Sequence, residues 1–177
     1  MKNNSGDSDF ILHRTPERAK KYGEVFTPPD IVQLVCSSVE EYILDIYKTI
    51  LEPACGNGNF LTHILNKRIQ VSKSDREILI GLSNLYGIDI LEDNIIETKT
   101  KMINIVKENI KDKKYIDIAG FIIDNNIIHG DFVLMKYANS DKSIIIYRYE
   151  ISEEPISISF KTFELARAIN KYNQTLF

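Results

Sequence analysis

The chain has 177 residues, 44% hydrophobic and 27% charged, ordinary proportions for a globular protein and enough length to bury a full core. It holds no run of about 18 apolar residues, and its polar start carries Asp7 and Asp9, so neither a membrane span nor a signal peptide is expected and the protein reads as cytoplasmic. A net charge of −3 and a pI near 5.7 argue against strong unaided binding to nucleic acid, whose phosphates demand a basic surface.

Residues 1 to 16 are polar and read as a flexible segment, followed by one domain over 17–150 and a short hairpin and helix extension over 151–177. Thr27 before Pro28 and Pro29 predicts a helix cap with proline in the first turn. Ile31, Val32, Val35, Val39, Tyr42 and Ile43 continue that helix as an apolar stripe. Thr49 to Leu51 is a first strand, Phe60, Leu61, Ile64 and Leu65 open a helix, and Lys67 to Ser74 is a polar connector. A short helix over Asp75 to Leu82 leads to strand two, Leu85 to Ile90, and Leu91 to Lys111 forms a long helix. Strand three is Asn126 to His129 and strand four Ser143 to Tyr149. In the tail, Ile144 to Ile151 and Ile156 to Phe160 suggest a hairpin around Ser152-Glu153-Glu154-Pro155, and Phe163 to Tyr172 is helical. Alternating strands and helices predict an α/β fold with a doubly wound, mostly parallel sheet that binds ligands at the carboxyl ends of its strands.

Glu52-Pro53-Ala54-Cys55-Gly56-Asn57-Gly58-Asn59-Phe60 is the most informative stretch, a strand end and a glycine turn running into a helix start. Glycines at 56 and 58 let the backbone turn sharply where a Cβ would collide, and free N–H groups at a helix N-terminus favour an anionic group. Neither Cys36 nor Cys55 has partners for a metal site, so both are expected as reduced thiols. The runs Arg14-Arg18-Lys20-Lys21 and Lys111-Lys113-Lys114 read as solvated faces.

This loop resembles the S-adenosylmethionine (SAM) loop of DNA adenine-N6 methyltransferases of the type I and Eco57I-like restriction–modification systems, with the pattern Asp/Glu-Pro-Ala-Cys-Gly-x-Gly-x-Phe. Three further segments match in order: Tyr22-Gly23-Glu24-Val25-Phe26-Thr27-Pro28-Pro29, Tyr86-Gly87-Ile88-Asp89-Ile90 and Ile127-Ile128-His129-Gly130-Asp131-Phe132. The resemblance implies a Rossmann-like methyltransferase domain, cut to about four core strands where a complete one has seven, with SAM as cofactor. It assigns the cofactor to Thr27, Glu52, Pro53, Ala54, Cys55, Gly56, Gly58, Asp89, Ile90, Asp131 and Phe132. Asp89 would accept the ribose hydroxyls, its alternative being a helix cap. Asp131 would bind the cofactor adenine amine, or be a turn residue. Thr27 is a helix cap or a contact of the methionine carboxylate, Phe132 is core or an adenine stack, and Glu52 is placed near the methionine amine. His129 reads as structural.

The family's Asn/Asp-Pro-Pro-Tyr/Phe tetrapeptide accepts the hydrogens of the target amine, a poor nucleophile, and stacks on the flipped base. None of the five prolines, Pro16, Pro28, Pro29, Pro53 and Pro155, lies in such a motif, and Tyr147-Arg148-Tyr149-Glu150 stands in its place. No catalytic residue is therefore assigned. Two readings follow: a DNA adenine-N6 methyltransferase, or its SAM-binding half completed by a second chain that brings the tetrapeptide and target recognition; or a non-catalytic SAM-binding module. DNA contact would be weak or through the partner.

Overall fold

The computed structural model describes residues 14–153 and 155–173. In chain order the elements are α1 (Pro16–Tyr22), α2 (Pro29–Ser37), α3 (Glu40–Leu44), β1 (Ile50–Glu52), α4 (Asn59–Val71), α5 (Asp75–Ser83), β2 (Leu85–Asp89), α6 (Glu92–Asn109), α7 (Lys113–Asn126), β3 (Ile127–Asp131), β4 (Lys136–Tyr137), β5 (Ile145–Ser152), β6 (Ser157–Glu164) and α8 (Leu165–Asn173). The main sheet runs β1-β2-β3-β4, parallel from β1 to β3, with β4 antiparallel to β3; β5 and β6 form a separate antiparallel hairpin. This is a Rossmann-like α/β architecture, mostly parallel and incomplete, as the sequence predicts.

The central strand β2 is buried from Leu85 to Ile88, as a parallel strand covered on both faces should be. All of β1 is half-exposed, and among the described residues it has a neighbour on one side only. The main core gathers Leu61, Leu65, Leu79, Leu85, Met102, Val106 and Ile122 from helices and sheet. A smaller cluster joins Ile88 and Ile128 to Ile144 and Leu165.

Several elements depart from the sequence reading. Ser143 to Tyr149 does not continue the main sheet as a fourth strand: Ile145 to Ser152 pairs residue by residue with Ser157 to Glu164, and the fourth strand of the main sheet is the two-residue β4. Phe163 consequently lies in a strand opposite Ile146, and α8 starts two residues later. The stripe expected to run from Ile31 to Ile43 is broken at Ser38 and Val39 into α2 and α3. Thr27 does not cap α2; the cap position is Pro28, which has no side-chain acceptor. Lys67 to Val71 is not connector but the last turns of α4, because Arg68 turns inward and is fully buried.

Helix α7 occupies a stretch where the sequence reading assigns no element, with Asp112 capping its start through the Lys114 amide. Asn126, expected to open strand three, ends this helix instead. Its buried amide donates to the carbonyls of Ser83 and Leu85 and accepts from the Tyr149 hydroxyl, tying α5, β2 and the hairpin together.

Candidate functional site

Each of the three parallel strands ends in a carboxylate, Glu52 on β1, Asp89 on β2 and Asp131 on β3, so the sheet sets three acids along its carboxyl edge. The turn after β1 is fastened from three sides. The Gly56 amide donates to Asp89 Oδ2 at 2.9 Å, the Thr98 hydroxyl donates to the Gly56 carbonyl at 3.0 Å, and Lys101 Nζ donates to the Asn57 carbonyl at 2.9 Å. Gly56 and Gly58 both have positive φ, 51° and 84°, and Gly58 serves as the N-cap of α4.

Above this edge lies a cleft of about 480 Å³. It is lined by Pro53, Ala54, Gly56 and Asp89 as a floor, by Ile90, Phe132 and Val133 as a lip, and by Tyr22 to Phe26 as a wall. A recess of about 130 Å³ adjoins it through Val25, Phe26, Ala54 and Gly56, and is lined by Thr27, Glu52, Asn57 and Asn59. Asp89, Ile90, Asp131 and Phe132 thus stand at the larger cleft and Thr27 and Glu52 at the recess. Burial raises the Glu52 carboxyl above the usual range, with a partial offset from the Ala54 amide. Ile90 is exposed, while Phe132 is half-buried and packs on the smaller core as it lines the cleft.

Cys55 lines the recess as well. Its buried side chain sits where a Cβ on Gly87 would lie 3.1 Å from Sγ, and burial, then Asp89 and Glu52, raise its thiol pKa well above normal. Its thiol is free and buried. Asp131 Oδ1 accepts from the Leu134 amide at 3.0 Å, the turn geometry that is its alternative reading, while the residue still lines the cleft. Asp89 Oδ1 accepts from the Leu91 amide at 2.8 Å in the turn before α6, whose cap position is Leu91, and the residue also lines the cleft. His129 Nε2 lies 3.0 Å from the Ile90 carbonyl, bracing the lip.

Three residues of the site escape sequence reasoning: Glu24, Phe26 and Asn94. Glu24 and Phe26 lie within a recognised segment, but their types gave no sign of a buried carboxylate or a buried ring beside the glycine loop. Asn94 had no signal except its position five residues after Asp89. Glu24 is buried and ion-paired to Arg18, which also reaches Asp93; Arg14 pairs with Glu97 and Asp93. The run expected as a solvated basic face is thus partly spent on internal ion pairs, which hold α1 against α6.

Arg18 hydrogen bonds lower the Asp93 pKa. Burial would raise that of Glu24, but the Arg18 and Asn94 hydrogen bonds outweigh it and the net shift is downward. A carboxylate depressed in the folded state stabilises it above its unfolded pKa, and the contribution disappears as pH falls through the folded value. Acid below the ordinary carboxylate range, around pH 4, is therefore expected to release α1 and residues 22–26 before the sheet melts. Amide exchange at those residues, followed against pH, checks this; simultaneous loss of α1 and β2 protection would count against it.

The arrangement offers a cleft with an apolar lip at Ile90, Phe132 and Val133 and carboxylates at Asp89 and Asp131, adjoining a recess that holds Glu52. Among the described residues no group of three or more metal-ligating side chains occurs. No helix of the described residues is long and apolar enough to cross a membrane. Searches of curated proteins and of solved structures return no match. The family model for N-6 DNA methylase matches residues 8–140, well over half of the chain and all three acid-ended strands, and the chain belongs to that family.

Proposed function

We propose that the chain is the SAM-binding part of a restriction–modification DNA adenine-N6 methyltransferase, and that a second chain supplies the acceptors for the target amine. The observation that carries this reading is that Asp89 and Asp131 line one cleft and Glu52 the recess adjoining it, both beside a glycine loop. SAM, when bound, supplies a methyl group activated on a sulfonium. The chain's own groups fit such a ligand. Asp89 retains carboxylate lone pairs for ribose hydroxyls, Ile90 and Phe132 flank an adenine slot with Asp131 at its edge, and Glu52 with Thr27 and Asn59 lines a polar recess for the amino-acid end. The Pro53–Gly56 backbone forms the floor and has no side chain at Gly56 to obstruct approach.

Methylation also needs paired acceptors and a stacking ring at the flipped adenine. Tyr147 and Tyr149 do not provide the ring: both pack in the hairpin's aromatic cluster with Phe121 and Phe160. The half-exposed outer edge of β1, next to the cofactor loop, supports completion by a strand from elsewhere. The acidic net charge supports delivery of DNA by a basic partner.

The test has two stages. Isothermal titration with SAM and its demethylated product, S-adenosylhomocysteine (SAH), should give measurable heat with the chain alone; silence at millimolar ligand would sink the cofactor reading. Transfer of a tritiated methyl group from SAM to mixed-sequence DNA should be absent with the chain alone and appear on adding the product of the adjacent reading frame. Incorporation by the single chain would overturn the need for a partner.

A further inference from the structure

The cleft wall and its ribose-side acid are not independent. Arg18 grips Glu24 with Nε and Nη2 at 2.8 and 2.5 Å, and Asp93 with Nη1 and Nη2 at 2.6 and 2.9 Å. Glu24 Oε1 accepts in addition from Asn94 Nδ2 at 3.1 Å, and the same amide lies 3.4 Å from Asp89 Oδ1. Asp89 Oδ2 then takes the Gly56 amide. A continuous polar chain therefore runs from α1 through the wall to the glycine loop. Glu24 and Asn94 are almost wholly buried, at 7% and 1% exposure, so water cannot readily replace a lost member.

Resting on the cofactor reading above, we infer that Arg18, Glu24 and Asn94 are positioning residues that set the orientation of the Asp89 carboxylate, and hence affinity for the cofactor ribose. Arg18 does this without lining the cleft. The cause is electrostatic. One Asn94 amide group is shared between two carboxylates, and its share at Asp89 depends on Glu24 being neutralised by the guanidinium. Without Arg18 the buried Glu24 charge draws that amide to itself, and the wall over Tyr22 to Phe26 loses the guanidinium bridge to Asp93 on α6. Asp89 then keeps only its backbone donors and turns more freely.

The experiment compares wild type, Arg18→Ala, Arg18→Lys and Lys99→Ala by SAH titration and by deuterium uptake of the ligand-free proteins. Lys99 pairs with Asp124 between α6 and α7, and its removal controls for loss of an ion pair outside the chain of contacts. Arg18→Ala is expected to weaken SAH about tenfold, within the usual range of coupling between sites. Arg18→Lys should recover part of this, because an ammonium cannot reproduce the fork, and Lys99→Ala should bind as wild type. Uptake across residues 22–26 and 89–94 should rise in Arg18→Ala and stay unchanged in Lys99→Ala. Unchanged uptake in Arg18→Ala overturns the coupling, and raised uptake with unchanged SAH affinity overturns the positioning role. Wild type that fails to bind SAH ends the cofactor reading and the ribose role with it, while the uptake comparison still decides whether the contacts couple the two segments.

Discussion

Arg68→Ala is expected to lower the stability of the fold by about 3–5 kcal/mol, from the cavity and the buried carbonyl acceptors left without donors. In a chain of this size that corresponds to a fall of roughly 10 °C in the melting midpoint. Arg68 is fully buried on α4 and donates to three backbone carbonyls: Ile43 at 3.0 Å, Lys48 at 2.7 Å and Gly81 at 2.8 Å. These lie in α3, in the approach to β1 and in α5, so one guanidinium fastens three segments around the first strand. Burial pulls its pKa down to about 10, which leaves it charged at neutral pH. Among the described residues it has no salt-bridge partner, and carbonyl dipoles do the solvating. Alanine would leave a cavity and three acceptors without donors. Arg68→Met restores much of the volume but none of the donors, so it should sit between alanine and wild type in thermal melts. If methionine matched wild type, the hydrogen bonds would be shown to contribute little.

The same residue explains why part of the fold was not legible in the sequence. Arg68 between Lys67 and Ile69 reads as a polar connector, yet its place three and four residues after Leu65 and Ile64 puts it on the core face of α4. A buried arginine satisfied by backbone carbonyls leaves no periodic apolar signal. Helix α7 is obscured for a related reason: Gly120 interrupts the stripe of Tyr115, Ile116, Ala119, Ile122 and Ile123, and Asn125-Asn126 resembles a loop. The short β4 carries only Lys136 and Tyr137 and is set by pairing to β3 rather than by pattern.

The parallel strands and the acids that close them were legible because their apolar runs end in Glu52, Asp89 and Asp131 at positions a turn must follow. The wall was only partly so. Its segment from Tyr22 to Pro29 is recognisable by resemblance, but the partners of Glu24 lie six residues before it and 70 residues after it, and such pairings follow from the fold alone. The Thr27 cap failed for a local reason: with Pro28 at the cap and Pro29 opening α2, the hydroxyl lies one residue too early.

The two glycines of the loop, alike in sequence and in sign of φ, should respond very differently to alanine. At Gly56 a Cβ would meet only the Phe26 ring, at 3.5 Å, an ordinary contact, so the cost is that of a left-handed backbone, about 1–2 kcal/mol. At Gly58 the same strain applies and the Cβ would also fall 2.7 Å from Thr98 Cγ2 and 2.8 Å from its Oγ1. Overpacking of that kind adds roughly 1–3 kcal/mol. Thr98 is fully buried and its hydroxyl holds the Gly56 carbonyl, so it cannot move aside without opening the turn. Gly58→Ala is therefore expected to cost about 2–5 kcal/mol of stability by these two contributions together, and to weaken SAH by more than Gly56→Ala does. Truncation of Thr98 separates strain from collision. In the Gly58→Ala background, Thr98→Ala removes both close atoms, so the double variant should be more stable than the sum of the single losses, with a coupling of about 1 kcal/mol or more. Additive losses measured by urea unfolding would mean that backbone strain alone keeps glycine at 58, and that the tight seat of α6 against the loop contributes nothing to its shape.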